Sequence, residues 1–339
     1  MNFLPDTTLS HYVTMRLGGP AKFVAAVSNE HEVLEAVEYA QTNNLKFIVI
    51  GEGSNIVFGD NGFDGLVIVN KIPGLLIDKL SGIMRIGAGT HWHTVVEQAI
   101  ENNLTGIEAM ALIPGTAGAT PINNVGAYGQ DISQTLQSVY AYDTKNGQFV
   151  ELSNSQCGFG YRTSIFKSSE YGRYIIISIA LQLNQLSDMY TPPNYPALQQ
   201  ELAKRELFYP TPNDVMRTVM AIRSIKLPDP SHIANTGSFF KNPIVSADKT
   251  HALLALYPDM PHYPQADGNE KLAAGWLVEQ TGLRGHKERG IWVYDKQALV
   301  LVNESAQSYA DLGNMVQTIK TAVKEKYDIE LEPEPEIVV

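Results

Sequence analysis

The sequence predicts an α+β protein in which two α/β subdomains precede a C-terminal α+β domain. Three observations carry this. Helical and strand patterns alternate over residues 1–70, and strand patterns dominate residues 71–212. Residues 186–213 contain Pro192, Pro193, Pro196, Pro210 and Pro212, which cannot share one continuous element; they mark a long loop, a short helix and a boundary. Helical periods then return over 213–325, and a tail, 326–339, follows.

In chain order, Asn29 is placed to cap a helix, with Glu32 completing a capping box and Val33, Val37 and Ala40 on one face. Phe47–Ile50 reads as a short buried strand, a glycine loop occupies 51–55, and Ile56–Phe58 reads as a second strand. Leu66–Val69 and Met84–Ile86 are further strands, and His93–Asn102 is a helix with Val96, Ala99 and Ile100 inward. Val139–Tyr142 and Tyr174–Leu183 return to strand composition. Asn213 can cap a helix through Ile225 that Leu227-Pro-Asp-Pro230 stops, and Lys271–Gln280 reads as a helix closed by Gly282. Ser308 and Asp311 open a third helix of this region, with Leu312, Val316, Ile319 and Val323 inward, before a final strand and tail.

Composition narrows the function classes. The chain has 339 residues, is 44% hydrophobic and 18% charged, and carries a formal net charge of −11. No basic run tracks a nucleic-acid backbone, so any anionic ligand must be held by a few Lys and Arg residues in a cleft. Cys157 is the single cysteine, which excludes an intramolecular disulfide. The start, MNFLPDTTLSHY, lacks signal-peptide character, and no apolar run is long enough to span a bilayer. A cytoplasmic protein, without membrane insertion and expected as a monomer, follows.

The most informative stretch is residues 109–130, AMALIPGTAGATPINNVGAYGQ, which has no charged side chain. It is too broken for a membrane helix and too rich in glycine for a core strand. Gly115, Gly118, Gly126 and Gly129, interleaved with Ala117, Ala119 and Ala127, let a backbone approach something flat or anionic. Tight turns in a packed core would also produce it. The loop Gly51-Glu-Gly53-Ser54-Asn55 has the physics of a phosphate cradle without the Rossmann fingerprint. With Gly87-Ala-Gly89 and the 109–130 stretch it makes three glycine loops, suited to a long dinucleotide. His91 and His93 have no third metal ligand or metal motif nearby and are expected to pack or bond near these loops. Cys157 lacks a nucleophile motif and reads as a packed residue.

Ile50-Gly-Glu-Gly-Ser-Asn55, Ile113-Pro-Gly-Thr-Ala-Gly118 and Pro121-Ile-Asn-Asn-Val-Gly-Ala-Tyr-Gly129 together resemble the FAD-binding half of the UDP-N-acetylenolpyruvoylglucosamine reductases. The resemblance begins at Thr14-Met-Arg-Leu-Gly-Gly19. It continues through Tyr161-Arg162, Ile222-Arg-Ser-Ile-Lys-Leu-Pro-Asp229, Asn235-Thr-Gly-Ser-Phe-Phe-Lys-Asn-Pro243 and Ala273-Ala-Gly-Trp-Leu-Val-Glu-Gln280 to Leu331-Glu-Pro-Glu334. It implies the flavin-binding fold of the vanillyl-alcohol-oxidase (PCMH) type, with FAD-binding subdomains at 1–70 and 71–212. A substrate-binding domain at 213–325 and a tail at 326–339 that returns to the active site are implied as well.

The activity implied is reduction of UDP-N-acetylglucosamine enolpyruvate to UDP-N-acetylmuramate for peptidoglycan, with noncovalent FAD and with NADPH as co-substrate. Reduced flavin gives hydride to the terminal enol-ether carbon, and charge builds on the adjacent carbon and the carboxylate. The resemblance makes Ser238 the proton donor and sets Arg162 to face the carboxylate with its planar fork. Glu334 would orient the carboxylate or act in protonated form. Because Pro335 follows where the family usually continues with a valine-led strand, Glu332 stays an alternative to Glu334. The implied flavin contacts are Gly51, Gly53, Ser54, Asn55, Ile113, Pro114, Gly115, Thr116, Gly118, Ala119, Asn123, Gly126, Ala127 and Tyr128. Substrate contacts fall to Tyr161, Tyr195, Arg223, Lys226, Lys241, Asn242 and Gln280, with Tyr195 matching the loop tyrosine that covers the diphosphate in the longer subtype. Asp295 and Gln297 stand where histidines are common in the family. Two other readings remain: an FAD oxidase of the same fold, and a sugar-nucleotide binder without turnover.

Overall fold

The first helix starts where its residues demand. Asn29 Oδ1 accepts the amide of Glu32 at 3.0 Å, while the Glu32 carboxylate accepts from the amide of Ser28 at 2.6 Å, one residue earlier than an ordinary capping box. Helix Glu30–Thr42 buries Val33, Ala36, Val37 and Ala40. The computed structural model describes residues 1–187 and 189–339. It divides into two compact units. One comprises Met1–Thr7, Ala21–Glu52 and Asp64–Ile225; the other comprises Thr8–Pro20, Gly53–Phe63 and Lys226–Val339.

The first unit carries two larger sheets, beside the two-stranded pairs Gly126–Ala127 with Gln130–Asp131 and Leu104–Thr105 with Asn184–Gln185. Leu4–Thr8, Pro20–Val27, Phe63–Asn70 and Lys46–Ile50 lie in that order, the last two parallel. The apolar face of the first helix joins the core formed by Leu66 and Ile68. The second sheet is antiparallel, in the order Gln148–Ser153, Leu136–Asp143, Tyr174–Gln182, Ile83–Gly87, Leu75–Asp78. Helix Trp92–Glu101 packs Trp92, Val95, Val96 and Ala99 into its core and begins one residue earlier than expected.

Helix Pro212–Lys226 adds Val215 and Val219 to the same core, so this segment packs with the first unit although the sequence reading began the C-terminal domain at 213. Thr211, rather than Asn213, caps it: Thr211 Oγ1 accepts the amide of Asp214 (3.2 Å) and the Asp214 carboxylate accepts the amide of Thr211 (2.9 Å). Pro212 then takes the first helical position, where its missing N–H costs nothing.

In the second unit, Ala234–Ser238, Val300–Asn303, Ile291–Val293 and Lys287–Glu288 form one sheet. Ile244–Val245, Glu270–Leu272 and His262–Pro264 form another. The expected helix Lys271–Gln280 is therefore split: Lys271 and Leu272 are strand residues, and the helix is Ala274–Gln280. The short helix starts only after Lys271 has paired with Ile244 and Tyr263. Ser308 caps helix Tyr309–Tyr327, which buries Leu312, Met315, Ile319 and Val323. The tail strand Glu336–Val338 runs parallel to Ile56–Phe58, so Ile56–Phe58 belongs to this unit and not to the first sheet.

Asp143 shows how a buried charge fixes a turn. It is 1% exposed, and its carboxylate accepts from Arg173 at 2.9 and 2.7 Å and from the amides of Lys145 and Asn146. The Arg173 bonds, ahead of the amides, hold its carboxyl down at about 2. Its contribution to stability is therefore complete above the ordinary carboxyl pKa of about 3.9 and is lost as pH falls toward about 2. Arg173→Met is expected to lower Tm at neutral pH. The Tm gap from the parent should close as pH falls from about 4 to about 2, measured by thermal unfolding across that range.

Candidate active site

In the first unit the glycine loops bind one another. The amide of Ala117 donates to Thr90 O (2.8 Å), that of Gly118 to Ala88 O (2.9 Å) and that of Trp92 to Gly115 O (2.9 Å). A Cβ on Gly51 would meet Thr116 Oγ1 at 2.5 Å, one on Gly118 would meet Ala88 Cβ at 2.5 Å, and one on Gly126 would meet Asp131 Cβ at 2.5 Å. At these positions the missing side chain is required by loop-to-loop packing. Thr116, Ala117 and Gly118 are buried, whereas Ile113, Pro114, Ala119, Gly126, Ala127 and Tyr128 keep part of their surface. Glu52, beside Gly51, accepts the amide of Gly115 at 3.2 Å. In the second unit Gly53 takes φ +65°, and a Cβ there would strike Tyr12 O; Ser54 and Asn55 follow it into Ile56–Phe58.

Several residues of this region hold left-handed backbones that side chains disfavour: Leu112 (φ +56°), Asn124 (+40°), Tyr128 (+50°) and Arg162 (+53°). Asn123 Oδ1 accepts from Lys167 Nζ (2.8 Å), and Asn124 Nδ2 donates to Gly160 O (3.1 Å), tying the segment to the turn that carries Tyr161 and Arg162. Gly160 and Thr163 close that turn by a reciprocal backbone pair. Arg162 lies 5.6 Å above the ring of Tyr161 and donates from Nη2 to Gly126 O at 3.1 Å. Tyr195 stands just before helix Pro196–Lys204 and meets Tyr128 edge-on, ring centroids 5.4 Å apart. The loop before it is braced by a buried acid the sequence reading passed over. Glu108 accepts the phenol of Tyr190 at 2.9 Å and the amide nitrogen of Gln130 at 2.9 Å. Burial, with Glu108 beside it, raises the Tyr190 phenol well above its ordinary range.

Arg223 was expected among the substrate contacts. It donates from Nη2 to Leu112 O (3.2 Å), at the root of the Ile113–Thr116 loop. Its Nε is sealed from solvent with no hydrogen-bond partner among the described residues. Burial lowers its pKa, and proximity to Tyr128 opposes that. Burial likewise raises the Tyr128 phenol.

In the second unit, Ser238 ends strand Ala234–Ser238 opposite Val300. The register slips between Asn235 and Ser238, where Gly237 takes φ +71° and its amide donates to Asn235 Oδ1 at 2.8 Å. Such a bulge re-aims the next side chain. The tail crosses the residues after Ser238: the amide of Glu334 donates to Phe239 O (2.8 Å), and that of Lys241 donates to Glu332 O (2.9 Å). Glu334 is half-buried beside Phe239, whereas the Glu332 carboxylate is exposed and pairs with Lys241 Nζ at 3.2 Å. Asn242 Oδ1 accepts the amide of Ala274, so it caps helix Ala274–Gln280. Lys226 and Gln280 are exposed, each ending a helix. The caps and braces at Asn242, Lys167 and Glu108 involve long-range partners, so no local pattern announces them.

A model described as an FAD binding domain matches residues 21–153, and one described as the UDP-N-acetylenolpyruvoylglucosamine reductase C-terminal domain matches residues 229–338. The UDP-N-acetylenolpyruvoylglucosamine reductase of Ralstonia nicotianae is 40% identical over 98% of both chains. That of Escherichia coli is 37% identical over 96% of this chain and 94% of its own. The crystal structure of UDP-N-acetylenolpyruvylglucosamine reductase from Thermus caldophilus superposes with a TM-score of 0.69 at 23% identity, over 98% of this chain and 97% of that one, which shows a common fold. An FAD-binding fold of the vanillyl-alcohol-oxidase type thus precedes an α+β C-terminal domain, as the sequence predicts. The chain belongs to the UDP-N-acetylenolpyruvoylglucosamine reductase family.

Proposed function

We propose that the protein reduces UDP-N-acetylglucosamine enolpyruvate to UDP-N-acetylmuramate, with FAD as noncovalent cofactor and NADPH as reductant, in cytoplasmic peptidoglycan precursor synthesis. The observation that carries the reading is the bulge at Gly237 beside Ser238, next to the backbone contact between Phe239 and Glu334. It supplies a re-aimed hydroxyl and a half-buried carboxylate on neighbouring segments. The residues of the first unit suit FAD: the knit glycine loops have little side-chain bulk. We assign FAD to Gly51, Gly53, Ser54, Asn55, Ile113–Thr116, Gly118, Ala119, Asn123 and Gly126–Tyr128.

FAD, when bound and reduced, supplies the hydride for the terminal carbon of the enol ether. The protein must then stabilise the charge that develops on the adjacent carbon and its carboxylate, and protonate that carbon. Arg162 takes the carboxylate through its fork. Ser238 donates its Oγ proton to the carbanionic carbon and regains one from solvent, so hydride and proton together add two hydrogens across the double bond. Glu334, rather than the exposed Glu332, orients the carboxylate or supports the intermediate in protonated form. Lys226, Lys241, Asn242, Gln280, Tyr161 and Tyr195 serve the sugar nucleotide.

The test is steady-state NADPH oxidation by the purified FAD-loaded protein. Loss of NADPH that requires the enolpyruvyl sugar nucleotide supports the reading. Oxygen consumption with alcohols and no need for NADPH would make the protein an oxidase of the same fold.

A further inference from the structure

Leu112 immediately precedes Ile113-Pro114-Gly115-Thr116 and adopts φ +56°, a conformation a side chain of its shape seldom takes. It is gripped on both peptide faces. Its amide donates to His93 Nδ1 at 3.3 Å, and its carbonyl accepts Arg223 Nη2 at 3.2 Å. The two side chains come from different helices, Trp92–Glu101 and Pro212–Lys226. We propose that His93 and Arg223 are positioning residues that lock Leu112 in its left-handed conformation and thereby set the path of the flavin-binding loop that starts at Ile113. The inference rests on the FAD reading above.

The grip imposes a protonation state. To accept from the Leu112 amide, Nδ1 must carry no proton, so the imidazole is neutral with its hydrogen on Nε2, which faces the Glu97 carboxylate at 3.6 Å. The charged groups around His93 are Glu97 on its own helix, His91 just before that helix and Arg223 from the facing helix. Burial is the largest influence and disfavours the imidazolium; Glu97 favours it, and His91 and Arg223 oppose it. The net effect lowers the His93 pKa. The clasp is therefore complete above the ordinary histidine pKa of about 6.5 and is lost as pH falls through the lower value that burial gives His93.

The experiment follows FAD release from the holoprotein by the rise in free-flavin fluorescence, between about pH 7 and about pH 5. The parent, His93→Leu and His93→Asn are compared. Leucine removes the acceptor at similar bulk; asparagine offers an oxygen near the Nδ1 position and does not titrate. The parent should bind FAD more weakly as pH falls. His93→Leu should bind FAD about tenfold or more weakly at pH 7, with a flat pH profile, because an inward amide loses its acceptor. His93→Asn should bind near parental strength at pH 7, also with a flat profile. If His93→Leu does not fold, the flat profile of His93→Asn decides alone.

The idea is overturned if the variants retain the parental acid dependence, or if asparagine weakens binding as much as leucine, which would mean packing alone. A parent that holds no FAD at any pH overturns the FAD reading and this inference with it.

Discussion

Ser238→Ala is expected to abolish most substrate turnover while leaving the reduction of bound flavin by NADPH close to parental. The hydroxyl is needed only for the second half of the reaction, when a carbanion must be protonated. Positioned proton donors contribute about 10²–10⁴-fold, and the loss of turnover should fall in that range. The variant should fold normally. Ser238 is half-buried at a strand end, its backbone pairing with Val300 does not involve the side chain, and the bulge depends on Gly237 and Asn235. Anaerobic rapid mixing separates the halves: bleaching of the flavin absorbance by NADPH reports the first, and its return on adding the enolpyruvyl sugar nucleotide reports the second. A variant that completes both at parental rates would remove Ser238 from the mechanism.

Arg162→Ala is expected to lower kcat/KM for the sugar nucleotide by about 10²–10³-fold, the cost of removing one donor from developing charge. Arg162→Lys should recover little, since a point charge cannot replace a planar fork on a carboxylate. The backbone there is already committed, because the residue sits at φ +53° inside the closed Gly160–Thr163 turn and stacks over Tyr161. Arg162 also donates to Gly126 O, so flavin content must be measured on the same samples. A parental kcat/KM at full flavin loading would contradict the role assigned to Arg162.

Much of this architecture was legible from side-chain period and caps. Asn29 and Ser308 announced their helices, because a short polar side chain facing the first turn is a local signal. What failed was non-local. Ile56–Phe58 reads as a strand, yet only the return of the tail as Glu336–Val338 decides which strand it pairs with. Lys271-Leu272 has helical neighbours on its C-terminal side, and its strand state comes from Ile244 and Tyr263. Thr211 was overlooked as a cap because Asn213 is the stronger residue in isolation, but Pro212 fixes the helix start two residues earlier.

The site divides in the same way. The glycine loops were visible as an uncharged run, but the atoms that require glycine at 51, 118 and 126 are those of Thr116, Ala88 and Asp131. No sequence pattern names such partners. The choice between Glu332 and Glu334 is a register question that depends on how the tail pairs: the Glu334 amide donates to Phe239 O, and the exposed Glu332 carboxylate pairs with Lys241. The Leu112 clasp was invisible because leucine gives no hint of a left-handed backbone.

The most direct measurement uses the holoprotein reduced anaerobically with one equivalent of NADPH and then mixed with UDP-N-acetylglucosamine enolpyruvate. The oxidised flavin spectrum should return without oxygen, and the sugar nucleotide should gain two hydrogens in mass, one molecule for each NADPH spent. A flavin that stays bleached beside unchanged sugar nucleotide, and recovers only when air is admitted, would contradict the account.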